Sequence, residues 1–294
     1  MREAVELHGV SIERLRRTDL SRPFHGVRST TSDLDLRERC QAALLRVATG
    51  SFICGPTAAL LYGTPLPRRH EVASTIHVAI PRPGRAPRGA GITGHSFDLR
   101  LAPVREISGL RVAAPARTWT DLAAAVDLEH LVIAGDHLVR WDLKICTVTD
   151  LQREVERSKG RRGRSMMAAA LAMLDTRSQS RYETKLRLLL SGAGLTGLAA
   201  NHEVTVSSGH RYRLDIAMPE LLVGIEFQGA HHADPAQYRA DQTRMERLRA
   251  DGWLILEVNA RDFDEPIELL NRIRRAIARH LAVREQIDRS QIVA

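Results

Sequence analysis

Aromatic residues are scarce in this chain, at 4% of 294 residues. Proteins that hold single-stranded nucleic acid on rows of stacked rings need exposed aromatic platforms, so that mode of binding is not expected. Cysteine is rarer still. Cys40, Cys54 and Cys146 are odd in number, far apart and form no CxxC pair, so they read as ordinary reduced thiols. No apolar run reaches the length that spans a bilayer, and Met1, Arg2 and Glu3 do not begin a secretory leader. A membrane partner is therefore not expected, and the expected compartment is the cytoplasm. Internal repeats and long low-complexity tracts are absent as well.

What is present suits a globular chain. Hydrophobic residues make up 44% and charged residues 27%, enough apolar content to bury a core. The length accommodates two ordinary domains, or one large domain with additions. The net charge of +8 and the pI near 10.1 favour polyanionic partners, because each cation placed on a phosphate releases counterions. The strongest local concentration is LQREVERSKGRRGR at 151–164. It reads as a helix end running into a basic linker, with Arg161, Arg162 and Arg164 either contacting phosphate or simply solvated. The main domain boundary is expected within 160–180, with a helix from Ser165 to Leu174.

Upstream of that boundary, the pattern predicts an α+β module over residues 1–160. Pro56 to Tyr62 reads as a short helix stopped by Gly63, TIHVAI at 75–80 as a strand, and GLRVA at 109–113 as another. Pro115 opens a helix through Leu122 and Ala125, and a second helix covers roughly 127–141. Downstream, residues 175–290 carry a clearer rhythm. A helix at 179–191 gathers Tyr182, Leu186, Leu189 and Leu190 on one side and ends at Gly192. Strands are expected at 202–206, 210–217 and 221–228. A helix opens at Asp234 and Pro235 and stops at Gly252, WLILEV at 253–258 is a buried strand, and a last helix uses Leu269, Ile273 and Ile277. The order is αβββαβα, an α/β arrangement whose last strand–helix–strand unit should give a parallel pair.

The chemistry concentrates on two adjacent strands. In 210–217, Tyr212, Leu214 and Ile216 alternate with Arg211, Arg213 and Asp215. In 221–228, Leu221, Val223, Ile225 and Phe227 alternate with Gly224, Glu226 and Gln228. With MPEL as the turn, Ala217 sits opposite Leu222, Asp215 opposite Gly224, and Glu226 diagonal to Asp215. Two carboxylates then converge, with Gly224 leaving the floor between them open. A buried acidic pair is costly unless protonated or neutralised, and an oxygen-only set suits a hard ion such as Mg2+ or Mn2+. Such an ion would polarise a phosphate and lower the pKa of an attacking water. Gln228 can position that water or the phosphate, and Glu183 on the preceding helix can add a ligand or a base. The competing reading leaves Asp215 and Glu226 on a solvated sheet face, paired with Arg211 or Arg213. One of His231 and His232 could act as general acid or base. Asp241 and Arg244 are neighbours on the following helix. They form either a surface ion pair or a phosphate contact with Asp241 behind it.

Residues 180–263 resemble the very-short-patch-repair-like endonucleases of the PD-(D/E)XK superfamily. The text that carries the resemblance is SRYETKLRLLL, YRLDIAMPELLVGIEFQGAHH and YRADQTRMERLRADGWLILEV. The resemblance implies a restriction-endonuclease-like core with a mixed sheet. It maps the family pattern onto Glu183, Asp215, Glu226, Gln228, His231, His232, Asp241 and Arg244. The departure is Gln228, which stands where the superfamily has lysine and brings no cation. Residues 52–150 resemble the AbiEi-type antitoxin family, through FICGPTAALLYGTPLP, TIHVAIPRPGR and GLRVAAPARTWTDLAAA. Those proteins open with a winged helix-turn-helix, from which residues 1–45 depart.

Together these readings lead to one expectation, a magnesium-dependent (or manganese-dependent) endonuclease acting on DNA, in a defence, toxin–antitoxin or repair setting. The alternative is a non-catalytic DNA-binding regulator that keeps the nuclease fold, and a third reading is an RNA-directed nuclease. A second copy of the chain or a partner protein is left open.

Overall fold

Turn-forming residues break the first half of the chain into short elements, and these fold as a sheet covered by helices. A computed structural model describes residues 2–98, 103–228 and 235–293. The chain divides into two units, Met1–Leu174 and Asp175–Ala294.

The first unit contains α1 (Arg2–Glu6), α2 (Ile12–Arg16), α3 (Leu36–Leu44), β1 (Phe52–Ile53), α4 (Gly55–Leu61) and α5 (Arg68–Glu71). Next come β2 (Ile76–Pro81), β3 (Arg88–Gly89), β4 (Ile92–Phe97), β5 (Val104–Ile107) and β6 (Leu110–Ala113). It is completed by α6 (Pro115–Leu122), α7 (Leu128–Val139), α8 (Val148–Arg157) and α9 (Arg164–Ala172). The described strands make a mixed sheet in the order β3-β4-β2-β1-β6-β5. Its centre is apolar, with Phe52, Ile53, Ile76, Val78 and Val112 fully buried. Trp119 of α6 is buried and donates its indole N–H to the Leu131 carbonyl at 2.8 Å, so its polar edge is satisfied inside the core.

The basic stretch 151–164 does not act as a linker. It belongs to α8, to a turn through Gly160 and Gly163, and to the start of α9, all inside the first unit. Both glycines have positive φ, 77° and 81°, which suits residues without a Cβ. The expected free arginine at this turn is also corrected. Arg161 turns inward and donates to Asp121 at 2.5 Å and to Thr120 at 3.2 Å, whereas Arg162 and Arg164 are exposed.

The second unit runs α10 (Arg181–Gly192), β7 (Ala199–Thr205), β8 (Arg211–Met218), β9 (Val223–Gln228), α11 (Pro235–Ala250), β10 (Leu254–Asn259) and α12 (Pro266–Val293). The sheet order is β10-β9-β8-β7. The β9–β10 pair is parallel and the other pairs are antiparallel, so the chain is α/β with mixed sheets. Each face of the sheet carries its own core. Leu186, Leu190, Ile216, Val223 and Ile225 pack with Leu269 and Ile273 of α12. Leu214, Ala217 and Ile255 pack with Met245 and Leu248 of α11. Burying both faces removes the simple in–out alternation expected of a half-exposed sheet.

Candidate active site

The register differs from the expected one by two residues. Pro219–Leu221 forms a short 3-10 turn and Leu222 adopts φ 52°, so the hairpin closes at Met218↔Val223. The pairs Ala217↔Gly224 and Ile216↔Ile225 follow. Continuing that register puts Asp215 across from Glu226 rather than diagonal to it. A shift of two keeps the same face, whereas a shift of one would have separated the carboxylates. The expected open floor over Gly224 is not there. A Cβ on that residue would lie 2.8 Å from Leu214 Cδ1 and 2.9 Å from Ile255 Cδ1. Gly224 is needed for close packing beneath α11.

Beyond Ile216↔Ile225 the ladder between β8 and β9 ends. β8 stays with β7 as far as Arg211↔Thr205, and β9 stays with β10 as far as Gln228↔Asn259. The sheet therefore forks. At the crotch the Asp215 carboxylate accepts the Phe227 backbone N–H at 2.8 Å, taking a hydrogen bond that a strand carbonyl would otherwise receive. The neighbouring strand is also irregular. Asn201 has φ 47°, and the β7–β8 ladder skips the position between Ala200↔Ile216 and His202↔Leu214. Leu214 and Ile216, two apart in β8, consequently serve opposite cores.

Three carboxylates bear on this fork, two of them lining its pocket and the third, Glu183, felt through its charge. Glu183, in the first turn of α10, is buried, and its Oε2 accepts from the Gln179 N–H at 2.8 Å and from Asn201 Nδ2 at 2.5 Å. Burial raises its pKa, and the Asp215 charge raises it further against the hydrogen bond from Gln179. Burial also raises Asp215, opposed by the Phe227 N–H and by Arg244 and Arg213. Glu226, only 8% exposed, is pushed up to about 7 by burial. Arg244 opposes that rise, while Asp215 and Glu257 add to it. Burial dominates each of these shifts, as expected for charge taken out of water.

The cation facing Glu226 comes from α11. Arg244 donates Nη2 to Oε1 at 2.6 Å and Nη1 to Oε2 at 3.0 Å, a fork-on-fork pair. Its Nη2 also donates to the Arg213 carbonyl at 2.7 Å, and its guanidinium lies 5.9 Å from the Tyr212 ring centre. Arg211, Arg213, Arg244, Tyr212, Glu203, Asp215 and Glu226 line a pocket of about 420 Å³ at the fork.

Asp215, Glu226 and Arg244 are thus brought together, with Glu183 behind them and Arg211 and Arg213 at the pocket. Gln228 is exposed at the end of β9, level with Asn259. Asp241 is exposed on α11. Arg244, expected beside Asp241 or on phosphate, pairs with Glu226 through both nitrogens of its fork. His231 and His232 lie outside the described residues. Among the described residues no three His, Cys, Asp or Glu side chains are grouped closely enough to hold a metal ion. Sequence reasoning missed Asn201, Tyr212 as a pocket wall, and Glu257, which pairs with Glu226 in the parallel ladder. An acidic residue inside the apolar run WLILEV was the available signal for Glu257.

No family model matches the chain. It is 28% identical over 266 residues to the uncharacterized protein MT2308 of Mycobacterium tuberculosis (strain CDC 1551 / Oshkosh), covering 89% of this chain and 92% of that protein. The uncharacterized protein Rv2248 of Mycobacterium tuberculosis (strain ATCC 25618 / H37Rv) is similar to the same extent.

Proposed function

We propose that the second unit is a metal-dependent endonuclease of PD-(D/E)XK type, with a restriction-endonuclease-like core and DNA as its substrate. The observation that carries the reading is the forked sheet, which sets Asp215 and Glu226 on one face of an arginine-lined pocket. The donor set fits a hard divalent cation. It is all oxygen, both carboxylates are raised by burial, and a guanidinium already stands in as their counter-charge. Magnesium is commonly held by only one or two carboxylates, with water and substrate phosphate completing the shell, so a third protein ligand is not required. Asp215 and Glu226 would hold the ion, with Glu183 ordering the Asp215 side of the fork. The bound ion supplies Lewis-acid activation of the phosphodiester and a more acidic water.

The remaining work falls to this chain's own groups. Arg211 and Arg213 attract the phosphate backbone. Gln228 orients a water or a phosphate oxygen through its amide. In the first unit, exposed Arg162 and Arg164 add phosphate contacts that position DNA without reading its sequence. The test is cleavage of supercoiled plasmid by the purified full chain, with and without magnesium. Metal-dependent nicking that disappears in Asp215→Ala is the expected result, and cleavage by Asp215→Ala equal to wild type rejects the site.

A second reading has a specific observation behind it. Gln228 brings no cation, and Arg244 already neutralises Glu226, the arrangement expected of a DNA-binding regulator that keeps the fold without the chemistry. DNA binding with no cleavage under any divalent metal selects that reading.

A further inference from the structure

Glu226 is asked to serve two cations. Arg244 occupies both of its oxygens, at 2.6 and 3.0 Å. A divalent ion bound through Asp215 and Glu226 needs at least one of the same oxygens. It would also place two positive charges close to the guanidinium, where low dielectric strengthens repulsion. The metal and Arg244 therefore compete for one carboxylate.

Arg244 has somewhere else to go. Its side chain is 23% exposed and lines the pocket that Arg211 and Arg213 also line. A phosphodiester entering that pocket offers two oxygens in the geometry a guanidinium prefers. We propose that Arg244 is an exchangeable counter-ion: it holds Glu226 while the pocket is empty and transfers to a DNA phosphate when the pocket fills, freeing Glu226 for the metal. This rests on the nuclease reading and adds regulation to it. Metal affinity becomes conditional on substrate, and linkage requires the reverse effect of equal size.

The direct probe is Mn2+ binding to the full chain, followed by the electron paramagnetic resonance of the free ion. Wild type, Arg244→Gln, Asp215→Asn and the double variant are compared without DNA. Removing the competitor in Arg244→Gln is expected to tighten Mn2+ binding about tenfold, within the range usual for coupled sites. Adding Asp215→Asn to it is expected to abolish the gain. Arg244→Gln also leaves a buried carboxylate without its partner, so a urea unfolding curve accompanies each variant. If Arg244→Gln does not fold, wild type alone decides. Its Mn2+ affinity should rise by a similar factor when a short DNA duplex is present, after the ions bound by the duplex itself are subtracted. Equal affinity with and without duplex, or weaker binding by a folded Arg244→Gln, overturns the exchange and leaves the metal site standing. No Mn2+ binding in wild type, in the variants or with duplex overturns both the exchange and the nuclease reading.

Discussion

Each unit buries a carboxylate against arginine, and the two solutions differ in their balance. In the first unit Asp121 receives Arg117 at 2.9 Å and Arg161 at 2.5 Å. Two cations converge on one anion, with the buried Glu154 close enough to feel both. In the second unit one guanidinium, Arg244, faces Glu226, while Asp215 and Glu257 press on the same carboxylate and Asp215 also presses on Glu183. The first cluster sets two guanidinium groups on one oxygen of Asp121, ties α6 to the turn after α8, and leaves the second oxygen, Asp121 Oδ2, buried without a hydrogen-bond partner. The second pairs only one guanidinium directly with its buried carboxylates and opens on a pocket that Arg211 and Arg213 also line. On the proposed reading the second cluster is the one that receives a cation, whereas the first serves the packing of its own unit.

The largest effects should appear at the second cluster. Asp215→Ala and Glu226→Ala are expected to abolish metal-dependent cleavage. Each removes a proposed ion ligand, and changes even to groups supporting such ligands commonly cost about 10–100-fold. Gln228→Ala should weaken cleavage only moderately, because an amide contributes less than a charge at developing negative charge. Gln228→Lys should retain or raise activity. Single-turnover cleavage of supercoiled DNA ranks the four variants against wild type. The contrast breaks if Asp215→Ala is as active as the parent.

The first cluster should respond in stability instead. Asp121→Ala leaves Arg117 and Arg161 facing each other in a site where the side chains of Arg117 and Asp121 are 7% and 9% exposed. Breaking a buried pair in this way costs about 3–5 kcal/mol, read as a lower urea midpoint for the first unit. No change in stability would mean that the arginines are satisfied elsewhere.

The same difference decides what can be read from the sequence. In the second unit, apolar periodicity locates α10, β8, β9 and β10 to within a few residues and marks α12 by Leu269, Ile273 and Ile277, because long amphipathic or apolar stretches carry their own signal. The hairpin turn lies one residue further along the chain than MPEL suggests, since nothing in that text announces the 3-10 turn or the positive φ of Leu222. Moving both ends of the turn by one shifts the pairing by two, so Asp215 and Glu226 keep their shared face. The role of Gly224 is not legible in the same way, as its neighbours Leu214 and Ile255 come from two other strands. The pair Arg244–Glu226 lies 18 residues apart in sequence, and spacing cannot reveal which helix face lands on which strand. In the first unit, β1 spans two residues and β4 reads ITGHSF without alternation, so neither carries a pattern. The ring contact His77–His95 depends on β2 and β4 lying in parallel register, which only the assembled sheet provides.

That imidazole pair gives a smaller, pH-dependent effect confined to the first unit. His77 Nδ1 lies 3.1 Å from His95 Nε2. Burial, with His95 and His70 nearby, lowers His77 from 6.5 to about 4. The unfolded chain therefore takes up a proton between those values that the folded chain refuses. Stability from this group is complete above about 6.5 and is lost as the pH falls toward 4. At ~1.4 kcal/mol per unit, and discounted because the ring is only half-buried, the loss is on the order of 2 kcal/mol. Urea midpoints across that range should flatten in His77→Gln. An unchanged slope would show that the ring already protonates in the folded state.

The smallest effect compares the exposed arginines of the two units. Arg162 and Arg164 lie on the surface of the first unit, and Arg211 and Arg213 are exposed where they line the pocket of the second. If both sets touch phosphate, each releases counterions, and removing one arginine–phosphate interaction flattens the slope of log affinity against log salt by about 0.9. Arg211→Ala with Arg213→Ala, and separately Arg162→Ala with Arg164→Ala, should each reduce the slope by roughly 2. Binding of a nonspecific duplex over a series of salt concentrations measures it, in the absence of divalent metal so that cleavage does not intervene. The two pairs should then part company on cleavage. The pocket pair sits beside Asp215 and Glu226, so its loss should slow the chemical step at saturating protein, whereas the surface pair should affect binding alone. A slope unchanged by the Arg162 and Arg164 substitutions removes the first unit from the DNA path and confines the footprint to the fork.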